Sequence, residues 1–350
     1  MPVFVDTSRA GNDRAKSALG PRRKSPLRFP GRSGEGLTIG LINNMPDAAF
    51  RATERQFVSL LDAASDEIPV RLLLYTLPGV PREGACLHHA ESSYSSVEAM
   101  WDAGLDGLIV TGREPLTADL RDEPYWNSFT QVLEWACENT HSTVWSCLAA
   151  HAAILRMDGI GRCRSDEKHF GALPCERVFD HPLMAGAPMQ FPVPHSRWNG
   201  IAEAELSARG YTVLSRTSEG EVDAFVKQGG SLFVFFQGHP EYEADTLLRE
   251  YRRDAGRYLR GEADSYPLVP SCYFDHHTAD ALAALREEAI VSRSEELLVH
   301  VEALLEKPEI ENTWRLTAAL MYRNWLEYIR NSKRAAEDDD GAPLAATASR

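Results

Sequence analysis

What most restricts the fold of this chain is an alternation of short aliphatic runs with stretches of helical periodicity. The run Leu37-Thr-Ile-Gly-Leu-Ile42 is followed by a helical pattern from about Phe50 to Ala64. Val70–Tyr75, Leu105–Val110 and Thr143–Trp145 repeat the strand signal, with a helical pattern over Tyr125–Asn139. Runs this short and apolar predict strands covered on both faces, and their alternation with helices predicts the α/β class with a mainly parallel sheet flanked by helices. From about residue 169 the strand candidates crowd together at Tyr211–Leu214, Asp223–Val226 and Ser231–Phe236. Gly229-Gly230 is a hairpin signal between the last two, so an antiparallel extension of the sheet is expected. The pattern turns helical again from about Ala244 to Leu259, and two more helices are expected between about 278 and 331.

A chain of 350 residues, 43% of them hydrophobic, can fill one large core, and the pattern predicts a single α/β domain over 35–332 whose last part, 278–332, is helical. Residues 1–34, with Pro21-Arg-Arg-Lys24, read as a mobile basic arm, and 333–350, with Glu337-Asp-Asp-Asp340, as a disordered tail. The formal net charge of -14 argues against nucleic acid or an anionic membrane as the general partner. The sequence contains neither an apolar run long enough to span a bilayer nor a secretory signal, which predicts a cytoplasmic protein. Six cysteines without a CxxC pair suggest neither a disulfide framework nor a zinc site, and no metal or cofactor is expected.

One cysteine stands out. In Ser142-Thr-Val-Trp-Ser-Cys147-Leu-Ala-Ala-His, a strand gives way to an Ala-rich helix at Cys147. A helix N-terminus stabilises a thiolate, and its free amides can hold a developing oxyanion. Alone, such a cysteine reads better as a small buried apolar residue, and its context must decide otherwise. The second element is Phe235-Phe-Gln-Gly-His239-Pro-Glu241-Tyr242, where another strand ends and places His and Glu two positions apart. A thiol, an imidazole to take its proton and a carboxylate to orient the imidazole make a Cys-His-Glu triad, the catalytic set predicted here. The amides of Gly112, Arg113 and Leu148 are the expected oxyanion donors, because Gly112 and Arg113 follow a strand and Leu148 follows the nucleophile.

Several ordered segments carry a resemblance: Asn44-Met-Pro46, Gly107-Leu-Ile-Val-Thr-Gly112, Tyr125-Trp126, Gln131-Val-Leu-Glu-Trp135, Asp166-Glu-Lys168, Pro194-His-Ser-Arg197 and Gly238-His-Pro-Glu-Tyr242. Over about 37–275, with a weaker echo at 314–329, the chain resembles the homoserine O-acyltransferases of methionine biosynthesis, which are built on a class I glutamine-amidotransferase-like fold with flavodoxin-like layering. The resemblance implies an acyl-thioester on Cys147, with His239 as proton acceptor and Glu241 as its partner. It further implies that Lys168, Ser196 and Arg253 line the amino-acid site, that succinyl-CoA or acetyl-CoA is the co-substrate, that homoserine is the acceptor, and that the enzyme is a homodimer.

The chain also departs from the family pattern. The loop that governs acyl choice in the family reads Gly112-Arg-Glu-Pro-Leu-Thr-Ala118, and counting back from Tyr125-Trp126 puts Leu116 at the selecting position. Arg113 could pair with a succinyl carboxylate, which favours succinyl-CoA over acetyl-CoA, whereas Glu114 could repel it. Asp47 replaces the lysine that usually follows Met-Pro. Serine as the acceptor, a glutaminase-like hydrolase, and a non-catalytic protein that keeps the fold are the alternatives left open by sequence.

Overall fold

A computed structural model describes residues 3–8, 36–306 and 309–341. Its sheet has 11 strands, ten of them on one path. The parallel part uses β1 (Val3–Val5), β2 (Leu37–Ile42), β3 (Val70–Thr76), β5 (Gly107–Thr111), β6 (Ser142–Ser146) and β11 (Leu232–Phe236), in the spatial order β1-β3-β2-β5-β6-β11. The two-residue β4 (Ser95–Ser96) pairs with β3 off this path. Beyond β11 the sheet continues antiparallel through β10 (Val222–Gln228), β9 (Thr212–Thr217), β7 (Cys163–Arg177) and β8 (Gln190–Gly200).

Every residue of β2, β5, β6 and β11 is buried. The period-two pleat explains how both faces are used. Ile109, Val144, Val234 and Phe236 face a core shared with α1 (Asp47–Ser65) and α9 (Arg315–Gly341). Their strand neighbours Leu108, Val110, Trp145, Phe233 and Phe235 face a second core formed with α3 (Trp126–Asn139) and α4 (Leu148–Asp158). A third core joins Phe170 and Tyr242 to α6 (Thr246–Leu259), α7 (His276–Val291) and α8 (Leu297–Leu304). Two shorter helices, α2 (Gly84–Ser93) and α5 (Glu203–Ala208), complete the set among the described residues.

Three features differ from the sequence reading. Val3–Val5, within the segment read as an arm, adds a parallel edge strand to β3, and Arg71 Nε donates to Asp6 Oδ2 at 2.8 Å just beyond it. The helix α9 runs on to Gly341, into the segment read as a tail. The C-terminal region forms three helices where two were expected, because α8 is a short separate piece that packs on α6 and α7. Residues 1–2, 9–35 and 342–350, which hold the rest of the arm and tail, lie outside the described residues.

Candidate active site

Strand β6 ends at Ser146, and Cys147 turns the chain into α4 with φ 52° and ψ -116°. A non-glycine residue with this backbone is strained by about 1–3 kcal/mol, a cost that the surrounding structure must overcome. Here a ladder bond does so: Cys147 N donates to Phe236 O at 2.7 Å, tying the cysteine to the end of β11. The same strand end leads through Gln237 and Gly238 to His239. Gln237 N donates to Asp223 O and His239 N to Pro194 O, both at 2.8 Å, so the histidine loop is pinned by β10 and β8. Gly238 is required for this close approach, because a Cβ there would lie 2.4 Å from Val193 Cγ1 and 3.0 Å from His195 Nε2.

The imidazole of His239 is buried and its Nδ1 lies 2.8 Å from Glu241 Oε1. Burial pushes its pKa down, but the charges of Cys147 and Glu241 and its hydrogen bonds to both outweigh that, holding the ring well above the usual value near 6.5. The ring is thereby held toward its protonated form, with the Glu241 carboxylate on its Nδ1 side. Tyr242 stacks on the His239 ring at 4.2 Å between centroids and 17° between planes, and its hydroxyl donates to Glu250 Oε1 at 2.7 Å. The indole of Trp314, immediately before α9, donates to Tyr242 O at 2.8 Å and fixes this loop from below.

Lys168, Ser196 and Arg253 gather around α6. Ser196 Oγ donates to Glu250 Oε2 at 2.5 Å, Arg253 Nε donates to Asp254 Oδ1 at 2.7 Å, and Lys168 Nζ lies 3.8 Å from Asp254 Oδ2. Arg252 turns away, donating to Leu305 O at 2.9 Å. Neither acid was singled out from sequence: Asp254 faces Arg253 and Lys168, while Glu250 joins Ser196 to Tyr242, which stacks on His239. Their signal is the spacing of an acid every fourth residue on one helix face, which any solvated helix also shows.

The loop after β5 corrects one expectation and places two others. Gly112 N donates to Ser146 O at 3.2 Å, so this amide is spent in the sheet and is not an oxyanion donor. Gly112 serves by lacking a side chain, since a Cβ there would lie 2.6 Å from Ala149 N and from Leu148 Cβ. Leu148 is the first residue of α4, where no carbonyl of the same helix can accept its amide. Leu116 is 62% exposed, and its amide and that of Thr117 donate to Glu123 Oε1 at 2.6 and 2.8 Å. Arg113 is buried, with Nε donating to Glu114 O at 3.3 Å.

Behind His239, a second buried network runs from Ser215 Oγ to Asp223 Oδ2 (2.7 Å), from Asp223 Oδ1 to His195 Nε2 (3.3 Å) and from His195 Nδ1 to Arg197 Nε (3.2 Å). Arg197 continues to Glu221 Oε2 at 2.6 Å. Among the described residues the one group whose donor atoms cluster as metal ligands would is Cys175, His195 and Asp223 of this network. The guanidinium already bonded to His195 opposes a second cation there.

A family model described as homoserine O-succinyltransferase matches residues 30–335. A homoserine O-succinyltransferase of Rhodopseudomonas palustris is 47% identical over 301 residues, covering 85% of this chain and 90% of the relative. One of Methylorubrum extorquens is 44% identical over 293 residues, covering 84% of this chain and 87% of the relative. Among solved structures, a glutamine amidotransferase of Methylobacillus flagellatus superposes with a TM-score of 0.47 at 17% identity, over 85% of this chain and 96% of that one.

Proposed function

Since this chain belongs to the homoserine O-succinyltransferase family, we propose that it moves a succinyl group from succinyl-CoA to the hydroxyl of homoserine, in methionine biosynthesis, through a thioester on Cys147. The observation that carries this reading is the placement of Cys147 at the end of β6 and of the buried His239–Glu241 pair just past the end of the adjoining β11, the two ends joined by the bond from Cys147 N to Phe236 O.

In the first half-reaction the Cys147 sulfur attacks the thioester carbonyl, the carbonyl electrons move to oxygen, and the amides of Leu148 and Arg113 receive the oxyanion. Collapse breaks the bond to the CoA sulfur, and the imidazolium of His239 supplies the proton that CoA carries away. The ring is then neutral and able to take the hydroxyl proton of homoserine as its oxygen attacks the acyl-enzyme. Collapse of that second intermediate releases O-succinylhomoserine and returns the sulfur to its ion pair with His239. Glu241 holds the ring with Nδ1 toward itself, leaving Nε2 for sulfur and substrate. The Lys168 and Arg253 cations suit the carboxylate of homoserine, and Glu250 and Asp254 suit its ammonium group.

Intact-mass spectrometry tests this directly. The protein is incubated with succinyl-CoA or acetyl-CoA and then chased with homoserine or serine. A succinyl adduct, absent from Cys147→Ala and discharged by homoserine, is the expected result. Turnover retained by Cys147→Ala, or an adduct that homoserine leaves in place, would overturn the reading.

A further inference from the structure

A cavity of about 340 Å³ opens between α4 and the loop after β5, its lining including Ala118, Asp119, Leu120, His151, Leu155 and Arg162. His151 stands one helical turn beyond Cys147 on α4, about 6 Å along the axis at 1.5 Å per residue. It is buried, and its Nδ1 has no hydrogen-bond partner among the described residues. A buried nitrogen left unpaired costs about 1–3 kcal/mol and marks a place where a ligand can supply the missing partner. The wall opposite is cationic at one point: Arg162 anchors one amino group on Ala118 O at 3.2 Å and has further donors to offer. The Asp119 carboxylate is already gripped by Arg121 Nε at 2.9 and 3.0 Å.

We propose that this cavity is the subsite for the carboxylate end of the acyl group, held by Arg162 and by the imidazole of His151. The inference rests on the succinyl-transfer reading above. A succinyl chain bonded to sulfur spans about 5 Å to its far carbon, from standard bond lengths, which matches the single turn separating Cys147 from His151. Leu120 and Leu155 flank the methylenes, while the charge sits at the far end, where a neutral acyl chain of the same length offers no partner. Burial, then the charges of Arg197 and Arg162, push the His151 ring down to about 3, so it acts as a neutral hydrogen-bond donor in a field that favours anions. Selection is thereby assigned to residues 118–120, His151 and Arg162, whereas Leu116, at the position the family pattern points to, is largely exposed.

The test compares succinyl-CoA with butyryl-CoA, which has the same chain length and ends in a methyl group. Both donors carry the same phosphates, so the ratio of their kcat/KM values reports the acyl end alone. The native protein is expected to prefer succinyl-CoA, and Arg162→Ala and His151→Leu to reduce that preference at least about tenfold, by slowing succinyl transfer while butyryl transfer is kept. His151→Gln, which restores a hydrogen-bonding group, should recover most of it and controls for folding. An unchanged ratio overturns the proposal. An equal fall with both donors also overturns it, because that would place the effect on CoA or on the fold. Transfer from neither donor by the native protein would overturn the succinyl-transfer reading as well.

Discussion

The Tyr242 ring lies flat against His239, 4.2 Å between centroids, while its hydroxyl donates to Glu250 on α6. One side chain thereby links the residue proposed to transfer the proton to the cluster proposed to hold the amino-acid acceptor. Tyr242→Phe keeps the stack and removes the bond to Glu250. The expected result is a KM for homoserine raised about tenfold with kcat nearly unchanged. Steady-state kinetics at saturating succinyl-CoA measure this, and a fall in kcat at constant KM would place Glu250 outside the acceptor site.

Trp314 supports the same loop through its indole bond to the Tyr242 carbonyl. Trp314→Ala removes a fully buried ring and should cost about 3–5 kcal/mol. Trp314→Phe keeps most of the volume but leaves the carbonyl unpaired, at about 1–3 kcal/mol. Urea unfolding gives both numbers, and a Trp314→Phe variant as stable as the native chain would mean that packing alone, without the hydrogen bond, explains the role of this residue.

Gly112 allows the loop after β5 to touch the first turn of α4. Gly112→Ala should displace that loop from Leu148 and Ala149 and lower kcat on the order of 10²-fold, as small misplacements of catalytic groups do. Its thioester fraction after mixing with succinyl-CoA is the readout. Full-speed acylation in this variant would show that the contact does not set the oxyanion geometry.

The proton on His239 links stability to pH. Its native pKa is raised above the ordinary 6.5, so the native protein keeps a proton that the unfolded chain releases. That contribution is fully present below the unfolded value and is lost as pH rises through the native one. Glu241→Gln removes one of the charges that hold the proton. The thermal midpoints of the native chain and this variant should therefore differ most below the unfolded value of about 6.5 and converge as pH rises through the raised native one. A gap that widens with rising pH would contradict a protonated ring.

Local signals made much of the molecule legible in the sequence. Leu37–Ile42, Val70–Tyr75 and the strand before Cys147 are apolar enough to be seen without their partners, and each is a fully or largely buried strand. Cys147 stands out because it follows such a strand directly, and His239 because it comes three residues after another. The β7–β8 hairpin is harder to read: Pro174, Pro192 and Pro194 sit within it, and Ser165-Asp-Glu-Lys168 interrupts its register. Proline ordinarily argues against a strand, and here the two prolines Pro174 and Pro192 face each other across the pair. β1 is too short to carry a signal, and only Val70–Leu72, far along the chain, makes it a strand. Glu250, Asp223 and His195 matter through what they touch across the fold, which no spacing encodes.

The bond from the Cys147 amide to the Phe236 carbonyl closes the ladder between β6 and β11, whose last paired residues are Ser146 and Phe236. The proposed chemistry and cooperative folding are thus fastened by the same rung. A one-residue slip of β11 would turn its side chains to the opposite faces and carry the histidine loop out of reach, whatever helix content survived. Turnover is accordingly a gauge of one seam in the middle of the sheet, and it should vanish before spectroscopic signs of unfolding whenever that seam is the first part to open.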